Sequence, residues 1–252
     1  MAEKKSAPQK NGPVGANPGQ NPPGPIAHVR QHPDGTWVTH PLAAHLDGTA
    51  NLAARFAAEF GATEWARLAG LWHDLGKYNP QFQRYIGKAS GYNPEAHLEG
   101  DASRPDHSTA GALHAVERLG MAGRILAYLI AGHHAGLPDW HSPEEGSASL
   151  FQRMEGGKQN LQAALDGHPS QAILQPSLPA STPPQGSLAL WIRMLFSCLV
   201  DADFLDTEAF MDGGKAEKRG GYAALTELLS LFDRHMAGKA VNTKDNPVNR
   251  IR

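Results

Sequence analysis

The stretch Leu71-Trp72-His73-Asp74-Leu75-Gly76-Lys77 places a histidine and an aspartate side by side at the end of an apolar segment. Upstream of the pair, apolar residues recur at helical spacing, which predicts a helix with one buried face. These residues are Trp65, Leu68, Ala69 and Trp72. Gly76 is a typical helix stop. Neighbouring helical positions are rotated by roughly 100°, so His73 and Asp74 can border one pocket. An imidazole with a carboxylate suits a divalent transition metal, although a helix end with two polar surface residues gives the same pattern.

Composition narrows the classes of protein to which the chain can belong. The 252 residues are 40% hydrophobic and 19% charged, a balance typical of globular proteins with a sizeable core. The net charge of −2 provides no overall basic field, so nucleic-acid binding would need a local patch. Cys198 is the only cysteine, which excludes a disulfide framework and a cysteine zinc cluster. Without a signal peptide or an apolar run of ~20 residues, the chain is expected to be cytoplasmic, with no membrane partner.

The chain divides by composition into a tail, a main domain and a linker. Residues 1–25 contain six prolines, four glycines and no aromatic residue, which predicts a disordered tail or an added extension. Residues 26–39 have the pattern of a short hairpin. From Pro41 onward the spacing is helical, and residues 26–240 are interpreted as one domain. Within this domain, residues 147–165 and 221–236 are expected to form helices, and residues 87–105 and 168–187 are expected to form loops. The last of these helices has an apolar stripe that is expected to be buried, namely Leu225, Leu228, Leu229 and Phe232. Residues 241–252 are polar and are interpreted as a linker.

Three further histidines lie on predicted helices. His45 falls on the buried face of the helix that starts near Pro41, where a hydrogen-bonded core histidine is the plain alternative to a metal ligand. His107 and His114 share one face of a later helix, since they are seven residues apart. His114 is interpreted as an ordinary core or surface histidine.

The most apolar helix ends in two adjacent histidines. Ile125–Leu129–His133 and Leu126–Ile130–His134 are two rows at i, i+4 spacing. Two histidines at the inner end of a buried helix are costly unless they are paired or bound to a metal. Another strong helix, from Leu188 to Leu205, carries Asp201 and Asp203. Positions two apart point in nearly opposite directions on a helix, so only one of these aspartates should face a site.

The histidines and aspartates described above, in their order along the chain, resemble those of the HD domain of Cas3, the nuclease module of type I CRISPR systems, within the HD phosphohydrolase superfamily. The resemblance extends over about residues 26–210. The matching pieces are His45-Leu46, His73-Asp74-Leu75-Gly76-Lys77, Asp106-His107-Ser108-Thr109-Ala110-Gly111, Gly132-His133-His134-Ala135-Gly136, and the segment 199–208. The resemblance implies an all-α fold, namely an HD-domain helical bundle around a dinuclear metal site.

The resemblance also implies a ligand set. One metal would be held by His45, His73, Asp74 and Asp203, and Asp74 would bridge to a second metal held by His107, His133 and His134. Asp203 is preferred to Asp201 because the run Asp203-Phe204-Leu205-Asp206-Thr207 fits the family pattern better.

Catalytic roles follow from the same resemblance. They would fall to His73, Asp74 and Lys77, with Lys77 placing positive charge near the scissile phosphate; the alternative for Lys77 is a solvated loop lysine. Ser108 either contacts a phosphate or caps a helix. Lys77 and Arg84 are candidates for a basic groove that binds DNA.

The implied cofactors are two divalent transition-metal ions. Imidazole-rich ligation favours iron, manganese, nickel or cobalt, with zinc and magnesium as further candidates. The implied activity is endonucleolytic cleavage of single-stranded DNA by two-metal phosphodiester hydrolysis, in the antiviral defence of type I CRISPR interference.

The implied partners are single-stranded DNA, the type I surveillance complex (Cascade) and a helicase. The helicase would be either a following domain or a separate subunit, because the chain has no Walker motif and residues 246–252 resemble the lead-in to a helicase. Two other functions stay open: an HD phosphohydrolase acting on nucleotides or cyclic dinucleotides, and a non-catalytic docking module with a structural metal.

Overall fold

The structure is a computed structural model that describes residues 14–16, 24–94, 105–142, 149–219 and 223–241. The strands are β1 (Val14–Ala16), β2 (Ile26–Gln31) and β3 (Trp37–Pro41). The helices are α1 (Leu42–Ala57), α2 (Thr63–Trp72), α3 (Pro80–Ser90), α4 (Thr109–Leu119), α5 (Gly123–Gly132), α6 (Leu150–Gly156), α7 (Lys158–Leu165), α8 (Gln171–Leu174), α9 (Leu188–Met211), α10 (Gly213–Glu217) and α11 (Leu225–Val241). The predicted helical bundle is confirmed. The chain forms two compact units, residues 1–213 and 214–252, and the candidate site lies in the first.

A small antiparallel sheet precedes the helices. β2 and β3 form the hairpin that the sequence predicts, and β1 pairs with the other edge of β3, giving the order β1-β3-β2. The turn uses Gly35 at a φ of 86°, a left-handed conformation that glycine adopts readily. β1 falls within the segment expected to be a disordered tail; residues 1–13 and 17–23 of that segment lie outside the described residues, as do 242–252 of the predicted linker.

The core of the first unit is built on α1, α2 and α9. α1 packs against both of the other helices, and its buried face carries Leu42, Leu46 and Ala50, each fully buried. Trp72 at the end of α2 is also fully buried, and its indole Nε1 donates to the carbonyl oxygen of Ile173 at 2.7 Å. This bond satisfies the one polar atom of a large apolar side chain.

α4 approaches the end of α2 unusually closely. A Cβ at Gly111 would collide with the carbonyl oxygen of Trp72, so a residue with a side chain could not occupy this position without a shift of one helix. α4 also packs against α5. The segment just before α4 is thereby brought next to the turn that follows α2.

Several predicted boundaries needed correction. The single helix expected over residues 147–165 is two helices, and a capping box formed by Ser149 and Gln152 starts the first of them. The loop expected from residue 87 begins later, since α3 continues to Ser90. The loop expected over residues 168–187 contains the short helix α8.

The last helix forms, but its expected burial is wrong. The residues interpreted as a buried stripe on α11 are exposed, with Leu225 at 83% and Phe232 at 58% of their full accessibility. Apolar spacing predicts a helix but does not show whether another element covers its apolar face. Among the described residues, no helix combines the length and apolar character needed to cross a bilayer.

Candidate metal centre

Segments from all along the first unit converge at one place. α1 contributes His45, the turn after α2 contributes His73 and Asp74, the segment before α4 contributes His107, the end of α5 contributes His133 and His134, and α9 contributes Asp203. All but His134 and Asp203 are buried. The structure therefore brings together every residue that the sequence analysis proposed as a metal ligand.

The first group consists of His45, His73, Asp74 and Asp203, whose ligand atoms all lie within 4.8 Å of one another. Asp74 Oδ2 lies 3.4 Å from His45 Nε2 and 3.3 Å from His73 Nε2. Asp203 Oδ1 lies 3.3 Å from the same nitrogen of His45 and 3.6 Å from that of His73. Asp201 is exposed and does not belong to the group. The helical rotation between the two aspartates therefore selects Asp203 as the inward-facing residue.

The second group consists of Asp74, His107, His133 and His134, again within 4.8 Å of one another. Asp74 Oδ1 lies 3.5 Å from His107 Nε2 and 3.6 Å from His133 Nε2. His134 Nε2 lies 2.9 Å from His107 Nε2. One carboxylate oxygen of Asp74 thus faces each group, which is the arrangement that a bridging ligand requires.

The unsatisfied atoms at this centre fit a cation. Among the described residues, His45 Nε2, His73 Nε2, His133 Nε2 and Asp74 Oδ1 are buried and lack a hydrogen-bond partner. Buried polar atoms without partners are rare because each costs free energy. Four such atoms around one point, all of them nitrogen or carboxylate oxygen, match the ligand preferences of divalent transition metals.

The opposite ring nitrogens are anchored. Nδ1 of His73 and Nδ1 of His133 each donate to the carbonyl oxygen three residues upstream, at 2.8 and 2.7 Å. Nδ1 of His45 lies 2.7 Å from Asp206 Oδ2. Carbonyl oxygens and the carboxylate of Asp206 only accept, so these bonds place the proton on Nδ1 and leave Nε2 as the ligand atom. Asp206 is a functional candidate that sequence reasoning missed, although it stands one helical turn after Asp203.

The carboxylates change the protonation of the histidines. Burial disfavours a charged imidazole, but the carboxylates of Asp203, Asp206 and Asp74 outweigh it and raise the pKa of His45 to about 10. Burial opposes the charge of His73 too, yet the neighbouring Asp74 raises its pKa to about 9. A metal ion would have to displace a proton from each ring.

Lys77 lies inside the centre. It is only 4% exposed, and its Nζ lies 2.6 Å from Asp74 Oδ2. Burial opposes ionisation of Asp74, but Lys77 and His73 outweigh it and hold the pKa of that carboxyl well below its usual range. The solvated loop lysine considered as an alternative is therefore wrong.

A second unpredicted residue, Arg153 of α6, ties two ligand-bearing segments together. Its guanidinium donates to the carbonyl oxygen of Ala131 at 2.8 Å and to Ser108 Oγ at 2.9 Å. Asp106 Oδ1 accepts from the backbone nitrogens of Ser108 and Thr109, both at 3.0 Å. Asp106 therefore caps α4, and the Ser108 hydroxyl accepts from Arg153. No pattern in the sequence links Arg153 to residues more than 40 positions away.

Other histidines surround the centre. His28 and His40, on β2 and β3, form a third group with His45 within 4.8 Å, and the ring of His40 stacks on Phe210 at 4.7 Å between centroids. His114 stays outside the centre: its Nε2 donates to the carbonyl oxygen of Leu174 at 3.0 Å. The interpretation of His114 as a core histidine is confirmed, since it is 6% exposed.

Comparison with known proteins agrees with the geometry. The family model described as "Cas3, HD domain" matches residues 27–191, well over half of the chain. No curated protein matches the chain. The match includes every proposed histidine ligand and Asp74, while Asp203 and Asp206 lie beyond it on the continuation of α9. The chain therefore belongs to the Cas3 HD-domain family of CRISPR-associated, metal-dependent HD hydrolases.

Proposed function

We propose that the chain is a metal-dependent endonuclease that cleaves single-stranded DNA by two-metal phosphodiester hydrolysis in type I CRISPR interference. The observation that carries the proposal is the position of Asp74 between two groups of ligand atoms, each with at least one unsatisfied buried nitrogen. A structural metal site is normally a single closed shell, and two adjoining groups with a shared carboxylate are not expected for it.

The proposed chemistry depends on what the side chains hold in place. Two divalent ions, with iron, manganese, nickel or cobalt as the best candidates, would supply Lewis-acid activation of water and stabilise the oxygens of the phosphodiester. His45 and His73 would orient their Nε2 atoms through the Nδ1 bonds described above. The charge of Lys77, at 2.6 Å from Asp74, would add to the positive potential that attracts the phosphate.

A pocket of about 460 Å³ adjoins the centre. Asp74, Lys77, His133, His134 and Asp203 contribute to its lining, so a substrate in the pocket would contact both groups. The volume is within the range of small-ligand pockets, which suits a short portion of a nucleic-acid strand. It suits a free nucleotide as well, and that alternative is an outcome of the test below.

The partners and boundaries are proposals of the same kind. Residues 26–240 would form the nuclease domain, and residues 241–252 would lead to a helicase domain or dock beside a helicase subunit. The surveillance complex would supply the displaced strand. Because no Walker motif is present in the sequence, the chain itself would neither hydrolyse ATP nor unwind a duplex.

A circular single-stranded DNA and its duplex form would test the activity. We expect metal-dependent nicking of the single strand, abolished by EDTA, unaffected by ATP and weakened by salt, with the duplex spared; salt acts through counterion release at the phosphates. Equal cutting of both forms would contradict the single-strand proposal. Hydrolysis of free nucleotides alone would favour the nucleotidase alternative.

The number of metal ions is tested separately. Protein purified without chelator should contain about two transition-metal ions per chain by elemental analysis. The Asp74→Ala variant, prepared in the same way, is the control for adventitious metal. Wild-type protein that holds no more metal than this variant, even after incubation with manganese, iron, nickel and cobalt, would overturn the two-metal proposal.

A further inference from the structure

One side of the pocket is apolar, although the other side consists of charged and imidazole groups of the candidate metal centre. α3 contributes Phe82, Tyr85 and Ile86 to the lining, and α9 contributes Val200 and Phe204. These residues follow helical spacing, i, i+3, i+4 on α3 and i, i+4 on α9, so each set lies along one stripe of its helix. We call these five residues the apolar wall.

The inner part of the wall is fixed to the metal centre. Phe82 is 2% exposed, and its ring packs against the ring of His107 at 5.2 Å between centroids. Lys77 Nζ lies 5.9 Å from the centroid of the same ring. Phe82 therefore supports the centre and has little surface to offer a ligand.

The outer part of the wall presents aromatic rings to the pocket. Tyr85 is half-buried, and its ring lies 6.0 Å from that of Phe82. Phe204 lines the pocket yet keeps 58% of its surface exposed, directly after the candidate ligand Asp203. Exposed apolar surface in a concave site marks a place where a ligand binds.

The shape and chemistry of the pocket indicate what that ligand is. A phosphate at the metal centre needs only charges and hydrogen-bond donors, and it gains nothing from a phenyl ring. A nucleotide carries a flat apolar base a short distance from its phosphate, and bases stack on aromatic side chains whatever their identity. We propose that Tyr85 and Phe204 form a stacking subsite for a nucleobase that flanks the scissile phosphate. This inference rests on the proposed nuclease function and names how its substrate is held.

The subsite gives a physical reason for a preference for single strands. In a duplex, each base is stacked and paired within the helix, so its face is not available to a side chain. In a single strand the face is available. The subsite would therefore select against duplex DNA without reading the sequence, because every base has a π-face.

The test compares two single strands that share one backbone. The first is a thymidine oligonucleotide of 12 residues, and the second carries abasic residues at every position. The full-length, metal-loaded protein is assayed for KM and kcat on both. We expect wild-type KM to be about 5- to 150-fold higher on the abasic strand, which is the usual contribution of one base–aromatic stack.

Variants then assign the effect to residues. Phe204→Ala and Tyr85→Ala should each raise KM on the thymidine strand and change it little on the abasic strand, while Tyr85→Phe should behave as the wild type. Leu190→Ala is the matched control, because Leu190 is a 59% exposed apolar residue on the same helix, outside the pocket lining. It should leave both strands unaffected.

The remaining outcomes separate this inference from the proposed function. Equal cleavage of both strands by the wild type would overturn the subsite and leave the nuclease standing. An equal loss of cleavage activity on both strands in Phe204→Ala would also overturn the subsite, since that result indicates a purely structural role. Absence of cleavage and of binding on either strand would overturn both. Hydrolysis of thymidine monophosphate alone, with the same dependence on Phe204, would support the subsite and overturn the endonuclease.

Discussion

The bond between His45 and Asp206 makes a measurable prediction about metal affinity. His45 is fully buried, its Nδ1 lies 2.7 Å from Asp206 Oδ2, and its Nε2 faces Asp74 and Asp203. Replacing Asp206 with asparagine keeps an acceptor oxygen of nearly the same shape but removes the charge. His45 stays in place, and its Nε2 becomes a weaker donor to a metal.

The size of the effect follows from the strength of such bonds. A hydrogen bond to a charged group contributes about 1.5–3 kcal/mol, against roughly 1 kcal/mol for a neutral one. The difference of about 0.5–2 kcal/mol corresponds to a roughly 2- to 30-fold loss of affinity, which overlaps the roughly 10- to 100-fold usual for such outer partners of metal ligands. Of the two groups that share Asp74, only the first contains His45, so only one of the two metal sites should weaken.

Manganese(II) titration by calorimetry, with electron paramagnetic resonance to count free ion, would measure both sites at fixed pH. Asp201→Asn is the matched control, because it makes the same charge change on α9 at an exposed position. We expect one class of site to weaken in Asp206→Asn and neither to change in Asp201→Asn. Far-ultraviolet circular dichroism should show the same helix content in all three proteins.

Two results would refute the reasoning. If Asp206→Asn binds both ions as tightly as the wild type, Asp206 does not tune His45. If it weakens both sites equally, the change acts through the fold or the overall charge, and the assignment of His45 to one group alone is wrong.

Three further predictions follow from the same geometry. Asp74→Ala should lose both metals and His133→Ala only one, by elemental analysis, because one oxygen of Asp74 faces each group; equal losses would contradict the bridge. The affinity of the first group for its metal should rise with pH by about two orders of magnitude per unit up to pH ~9. The rings of His45 and His73, with pKa values of about 10 and 9, must each release a proton when the metal binds. A Kd for this site that does not change with pH would contradict those pKa values. Gly111→Ala should destabilise the protein by about 1–3 kcal/mol in urea unfolding, whereas Gly156→Ala, a helical glycine with open space around it, should not.

Much of the fold and most of the candidate ligands were accessible from the sequence, for a physical reason. A histidine within an apolar helical row, or at its end, must lie where the row lies, because helical periodicity fixes its direction. His45, His73 and His133 all satisfy that condition, and all are buried. The choice between Asp201 and Asp203 needed the family pattern at the level of sequence, and the structure places only Asp203 at the centre.

What the sequence did not provide are relations between distant segments. Arg153 acts through bonds to residues 22 to 47 positions away, and no local pattern marks it. The exposed face of α11 is a second example of a relation between elements that the sequence does not reveal. Its spacing predicts an apolar stripe correctly, but burial depends on a neighbouring element, which spacing does not reveal.

Gly48 takes part in such a relation between distant segments, although its sequence position alone does not indicate it. It stands one turn after His45 in the interior of α1, where a glycine costs helix stability relative to alanine by roughly 1 kcal/mol. Taken alone, that residue is a local defect. In the structure, a Cβ at Gly48 would collide with Asp206 Oδ1, so the absence of a side chain leaves room for the carboxylate that bonds to His45. Gly48, His45 and Asp206 therefore form one structural unit, and its members lie up to 161 positions apart in the sequence. The role of Gly48 is evident only from the packing of α1 against α9.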